Sequence, residues 1–162
     1  MNEFISPVPM PALDATAPEV CRQIYGMPMF TKIPADDFEA SKRFWIEALG
    51  FIDLFTIPGQ LTHLRRWAFQ DVLLVPGDGA PRATGTEVSF TCVLSQIDEL
   101  VDRCEDLVPG CTSRSETPWN STDLTIITPE NTRVVMTAAR PIVPGSVEEQ
   151  NLRDIGWGTL ES

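Results

Sequence analysis

Apolar and polar positions along the chain alternate between two periods, one close to 2 and one close to 3.6. That pairing is the mark of strands interleaved with amphipathic helices. Residues 29–35 read as a strand. Asp36 and Glu39 then have the spacing of a capping box, in which the two side chains satisfy the first N–H groups of a helix. Phe38, Trp45, Ala48 and Leu49 share one face of that helix, and Gly50 supplies a left-handed stop. Residues 51–57, 61–69 and 71–75 are strand candidates, separated by Pro58-Gly59 and by a turn at Gln70-Asp71. Pro76-Gly77-Asp78-Gly79 opens a turn-rich linker that runs to Gly85.

The same order then returns. Residues 87–94 read as a strand, and Ser95 is placed to cap a helix whose face carries Ile97, Leu100, Val101, Cys104 and Leu107. Pro109-Gly110 ends it, and strands follow near 112–116, 124–128 and 133–138. Superimposing the halves pairs Phe38 with Ile97, Glu39 with Asp98 and Leu49 with Val108. Each half is a strand, a helix and three strands. The pattern predicts an α+β protein of two tandem βαβββ modules, at about 27–80 and 84–140, whose curved mixed sheets surround a cavity. Residues 1–26 are proline-rich and irregular apart from a short helix predicted over 18–25, and form an N-terminal tail. Residues 141–162 form an acidic C-terminal tail in which Trp157 is a packing anchor.

The chain of 162 residues is 43% hydrophobic and 22% charged, enough apolar material for a substantial core. Its formal net charge of −11 disfavours nucleic acid and acidic membrane surfaces, which need cationic partners. It favours a neutral or cationic ligand. No run approaches the ~18 apolar residues of a spanning helix. The first residues lack the basic, then apolar, pattern of a signal peptide. Cys21, Cys92, Cys104 and Cys111 contain no C-x-x-C and read as reduced thiols. A cytoplasmic location is expected.

Two constellations carry candidate chemistry. His63-Leu-Arg-Arg-Trp67 lies on a predicted strand, so His63, Arg65, Trp67 and Phe69 would share a face. Facing a cavity, they would offer rings, a fixed cation and one titratable group. Facing outward, they would serve a surface or dimer contact. As a general base, the chain's single histidine needs an orienting acid, and Asp71 is nearest along the chain. Trp119 follows a proline in a turn-rich loop and is the best aromatic candidate for ligand contact. Trp45 lies on the apolar helix face and reads as core.

The segment DFEASKRFWIEALGF (residues 37–51) resembles the first-helix signature of the vicinal oxygen chelate superfamily, which includes glyoxalases, bleomycin-resistance proteins and extradiol dioxygenases. Pro118-Trp119 and Thr128-Pro129-Glu130-Asn131 resemble its last hairpin. The resemblance implies paired βαβββ modules assembled as a homodimer with small-molecule pockets. Catalytic members hold a divalent ion with His and Glu from four strands. Carried over by register, those positions fall on Phe30, Leu73, Ser89 and Val135, which offer no competent donor set. The expectation is therefore no metal, no cofactor and no catalytic residue. The chain reads as a binding protein similar to the drug-sequestering bleomycin-resistance branch, taking a cationic or aromatic small molecule, such as an antibiotic or other natural product. Phe30, His63, Arg65, Trp67, Leu73, Ser89, Trp119 and Val135 are its candidate ligand contacts. Two alternatives stand beside it. One is a glyoxalase- or dioxygenase-like enzyme, recruiting a metal through other ligands or working without one through His63. The other is a protein-interaction module.

Overall fold

The computed structural model describes residues 3–79 and 87–154. Residues 80–86 of the linker and the C-terminal Trp157 lie outside them. The first module runs β1 (Thr31–Ala35), α1 (Phe38–Glu47), β2 (Ile52–Ile57), β3 (Leu61–Arg65) and β4 (Asp71–Pro76). The second runs β5 (Glu87–Cys92), a 3-10 turn at Leu94–Gln96, α2 (Ile97–Leu107), β6 (Thr112–Glu116), β7 (Ser121–Ile127) and β8 (Arg133–Ala139). Each forms a four-stranded mixed sheet, ordered β1-β4-β3-β2 and β5-β8-β7-β6, with the first and last strands of the module parallel. The α+β architecture of two βαβββ modules is the one the periodicity predicts.

Local chemistry explains the departures in detail. Asp37, not Asp36, caps α1, its side chain accepting from the Ala40 N–H at 3.1 Å. Asp36 instead accepts from the Gly79 N–H at 2.9 Å and ties the end of β4 to the start of α1. Gly77 packs so close that a Cβ there would fall 2.0 Å from Asp36 Oδ1, so only glycine fits. Gly50 does take the left-handed φ of +76° expected of a helix stop. Ser95 caps nothing, because the 3-10 turn moves the start of α2 to Ile97, and its hydroxyl donates to the Ala15 carbonyl. The helix predicted over 18–25 does not form. Residues there form neither helix nor strand, and the Cys21 N–H donates to the Arg66 carbonyl at 2.8 Å. A short helix, α3 (Val147–Asp154), follows the second module.

One apolar core joins the modules. It takes Ile33, Leu64, Val72 and Leu74 from the first sheet and Phe90, Leu124, Ile126, Val134 and Met136 from the second, with Trp45, Leu49, Ile97 and Leu100 from the helices. At its centre Trp45, Phe51 and Phe90 meet edge to face, with centroids 5.0 to 6.1 Å apart. Trp45 Nε1 also donates to the buried Glu130 carboxylate at 2.8 Å, a bond from one module to the other. Because strand side chains alternate, a sheet with one face in this core turns its other face outward. Those outward faces carry the candidate chemistry. Among the described residues, no helix is long and apolar enough to cross a membrane.

Candidate functional site

On the first module the outward face is set by register. His63 lies opposite Leu73 on β4 and Phe55 on β2, Leu73 lies opposite Lys32 on β1, and Arg65 lies opposite Asp71. His63 and Arg65 thus share a face, as strand parity predicts. Trp67 and Phe69 do not continue it, because β3 ends at Arg65. The chain turns back there: Arg66 N–H donates to the Gln70 carbonyl, Gln70 N–H to the Trp67 carbonyl, and Phe69 adopts a φ of +67°. The predicted strand over 61–69 is therefore a strand and a tight hairpin. Trp67 is buried beneath Arg66, whose guanidinium carbon sits 4.6 Å from the ring centroid.

Asp71 is the hub of the face. Its Oδ1 accepts from His63 Nε2 at 2.7 Å and from Arg65 Nε at 2.5 Å. Facing a carboxylate oxygen that accepts, Nε2 is the donor of this bond. All three side chains are buried. The Phe55 ring packs edge to face on His63, with centroids 5.2 Å apart, and the N-terminal segment covers Arg65 and Asp71. The Gln23 carbonyl accepts from Arg65 Nη1 at 2.5 Å, and the Tyr25 ring lies over the guanidinium at 3.9 Å. The Tyr25 hydroxyl donates to Asp71 Oδ2 at 3.1 Å and accepts from the Phe69 N–H at 2.7 Å. Burial pushes the Tyr25 phenol above its ordinary value, against the pull of the Phe69 N–H. Sequence reasoning found His63, Arg65 and the Asp71 contact but missed Gln23 and Tyr25. The one signal for them was that Tyr25 is the chain's single tyrosine, set in a tail too polar to be core.

A groove of about 290 Å³ follows the seam between the modules. Phe30, Phe69 and Asp71 line it from the first module and Ser89 and Phe90 from the second, with Pro7 and Val8 along its rim. The seam is stitched by Arg66, which donates to the Thr91 carbonyl through Nη2 and to Gln70 Oε1 through Nε at 2.8 Å. No carboxylate stands within ion-pair distance of Arg66 among the described residues, and burial lowers its guanidinium to about 10. Of the other candidates, Leu73 lies on the first module's outward face, and Val135 lies opposite Ser89 on the second. Trp119 is elsewhere. Its ring is 62% exposed and borders a separate hollow with Asn151, Leu152 and Asp154 of α3.

The second module's outward face is built of hydroxyls. Register sets Ser89, Val135, Thr125 and Ser113 in one row and Thr91, Thr137, Asp123 and Ser115 in the next. Asp123 accepts from Ser121 Oγ at 2.8 Å and from Thr137 Oγ1. Of the positions carried over from the family resemblance, Phe30 precedes β1, Leu73 lies opposite Lys32, and Ser89 and Val135 lie in one row with Thr125. An ammonium, a ring and aliphatic chains do not fit a divalent ion. Among the described residues no three His, Cys, Asp or Glu side chains stand together to hold one.

No protein-family profile matches the chain, and no curated protein matches it. Solved structures do. Lactoylglutathione lyase from Agrobacterium tumefaciens superposes with a TM-score of 0.54 at 24% identity, covering 68% of this chain and 91% of that one. The fosfomycin resistance protein FosX from Mesorhizobium loti gives 0.54 at 13% identity over 80% and 99%. A mutant FosX from Listeria monocytogenes, complexed with Mn(II) and a dihydroxypropylphosphonic acid, gives 0.57 at 14% identity over 82% and 99%. At these identities the likeness establishes a shared fold and nothing about activity.

Proposed function

We propose that this chain, which has the vicinal oxygen chelate fold, is a metal-independent binding protein for a small aromatic natural product, held in the groove at the module seam. The observation that carries the reading is the lining of that groove. Two carried-over metal positions, Phe30 and Ser89, meet there with Phe69 and Phe90, so the metal positions supply rings and a hydroxyl instead of donors. A planar ligand would stack on the half-exposed Phe30 and Phe69 rings and hydrogen-bond to Ser89. The chain's net charge of −11 favours a cation by long-range attraction. Binding would remove such a molecule by mass action without changing it. A second copy would complete the site by covering the outward sheet faces, and light scattering should report a homodimer.

The test uses ethidium, a planar aromatic cation whose fluorescence rises in an apolar site. It should bind saturably, and equally well after exhaustive chelation. Phe30→Ala should weaken it by about 1–3 kcal/mol with the melting temperature unchanged. Affinity lost on chelation, and restored by one divalent ion per chain, would discard the reading. A metal-free enzyme is the second reading, favoured by the 2.7 Å contact between His63 Nε2 and Asp71 Oδ1, which orients the ring as a general base requires. Turnover abolished by His63→Gln would establish it.

A further inference from the structure

We propose that the outward face of the first module contains a carboxylate seat on Arg65, and that residues 21–25 cover it as a displaceable stand-in for an aromatic carboxylate. The seat adjoins the seam groove through Asp71 and Phe69 but does not rest on the reading given for that groove. The reasoning begins with the guanidinium, a planar fork of five N–H donors. Nε is held by Asp71, which fixes the plane of the fork and leaves its Nη1–Nη2 edge for other partners. Nη1 donates to the Gln23 carbonyl, whereas Nη2 is buried and has no acceptor among the described residues. A peptide carbonyl has one oxygen and satisfies one side of this edge. A carboxylate has two, at the spacing that takes both N–H groups together.

Two further features describe the rest of the ligand. The Tyr25 ring over Arg65 marks where an aromatic body would stack on the guanidinium. His63 Nδ1 is likewise buried without a partner among the described residues, so the floor keeps a second unsatisfied polar atom. The covering segment is held lightly. Neither helix nor strand forms between residues 3 and 30, Gln23 is exposed, and Ile24 projects into solvent at 86% exposure. At this point its attachments are the Cys21 N–H to the Arg66 carbonyl, the Gln23 carbonyl and the Tyr25 contacts. A ligand bearing its own carboxylate and ring replaces the last two in kind.

Benzoate is the probe and benzamide its uncharged isostere, both titrated against the full chain. The seat predicts that benzoate binds at least tenfold more tightly than benzamide. It predicts that Tyr25→Phe, which keeps the ring but removes the hydroxyl bonds, raises benzoate affinity several-fold. It predicts a larger rise for Tyr25→Ala. Saturating the unmodified protein should also speed exchange of the Cys21 and Phe69 amides, which donate to Arg66 and to Tyr25. That measurement stands even where Tyr25→Ala fails to fold. Equal affinity for the two probes, no binding by either the unmodified protein or Tyr25→Phe, or unchanged exchange of both amides at saturation would each overturn the seat.

Discussion

The two modules share a topology, a core and a joint, yet their outward faces are chemical opposites. The first concentrates charge: Arg65 and Asp71 are buried there under Gln23 and Tyr25, with the His63 ring beside them. The second spreads small hydroxyls over its strands around Asp123. The difference shows where this fold is constrained. Positions entering the shared core must be apolar in both halves, because one continuous interior serves them both. Positions facing away need only satisfy their own hydrogen bonds, and each half does so differently. A buried ion cluster demands a cover, whereas exposed hydroxyls do not. Gln23 and Tyr25 of the N-terminal segment lie over the ion cluster that needs them, while residues 6–15 run along the second module.

The largest effect should come from removing what the halves share. Trp45→Ala deletes a buried ring touching Phe51 and Phe90 and leaves Glu130 without its donor, so urea unfolding should show a loss of about 5 kcal/mol. Trp45→Phe should lose distinctly less. Next, the contrast between faces can be broken with matched substitutions. Asp71→Asn leaves Arg65 buried beside a neutral amide and should cost about 3 kcal/mol. Asp123→Asn in the second module should cost under about 1 kcal/mol, since its partners are neutral hydroxyls. Equal losses would mean that the cover does not distinguish the halves.

Alkaline pH sharpens the comparison, because the second module holds three buried thiols and the first holds none. Burial pushes Cys92 from 9.0 up to about 11 and Cys104 up to about 12, and raises Cys111 too. A folded pKa above the unfolded one stabilises fully below pH 9, and that contribution is lost as pH climbs through the folded value. Arg66, lowered to about 10, acts in the opposite sense, but alone. The melting temperature should therefore fall between pH 9 and 11. Cys92→Ala should flatten the fall by a share on the order of 3 kcal/mol. The smallest effect belongs to Trp119→Ala, whose exposed ring should leave stability within about 0.5 kcal/mol.

The modules were legible because their signal is periodic. Leu64, Val72, Leu74, Val134 and Met136 repeat at strand spacing, and the face of α1 repeats at helix spacing. The pairing of His63 with Asp71 was legible because a short hairpin brings them together. The end of β3 at Arg65 was not. Nothing in HLRRWAF marks a break, and Phe69 takes a positive φ without being glycine. The cover of Gln23 and Tyr25 was hidden for a different reason. Its contacts span 42 and 46 positions of chain, one of them through a backbone carbonyl that any residue supplies. Trp119 shows the limit of composition: a lone aromatic in a loop marked a surface feature, but not its distance from the seam.

The edge-to-face trio of Trp45, Phe51 and Phe90 has a bearing on motion. Interlocked rings with a cross-linking indole N–H resist sliding as well as separation, so the halves should swing as one solid block. Guests entering the seam would then be admitted by movement of the proline-bearing arm along its rim, not by the halves parting.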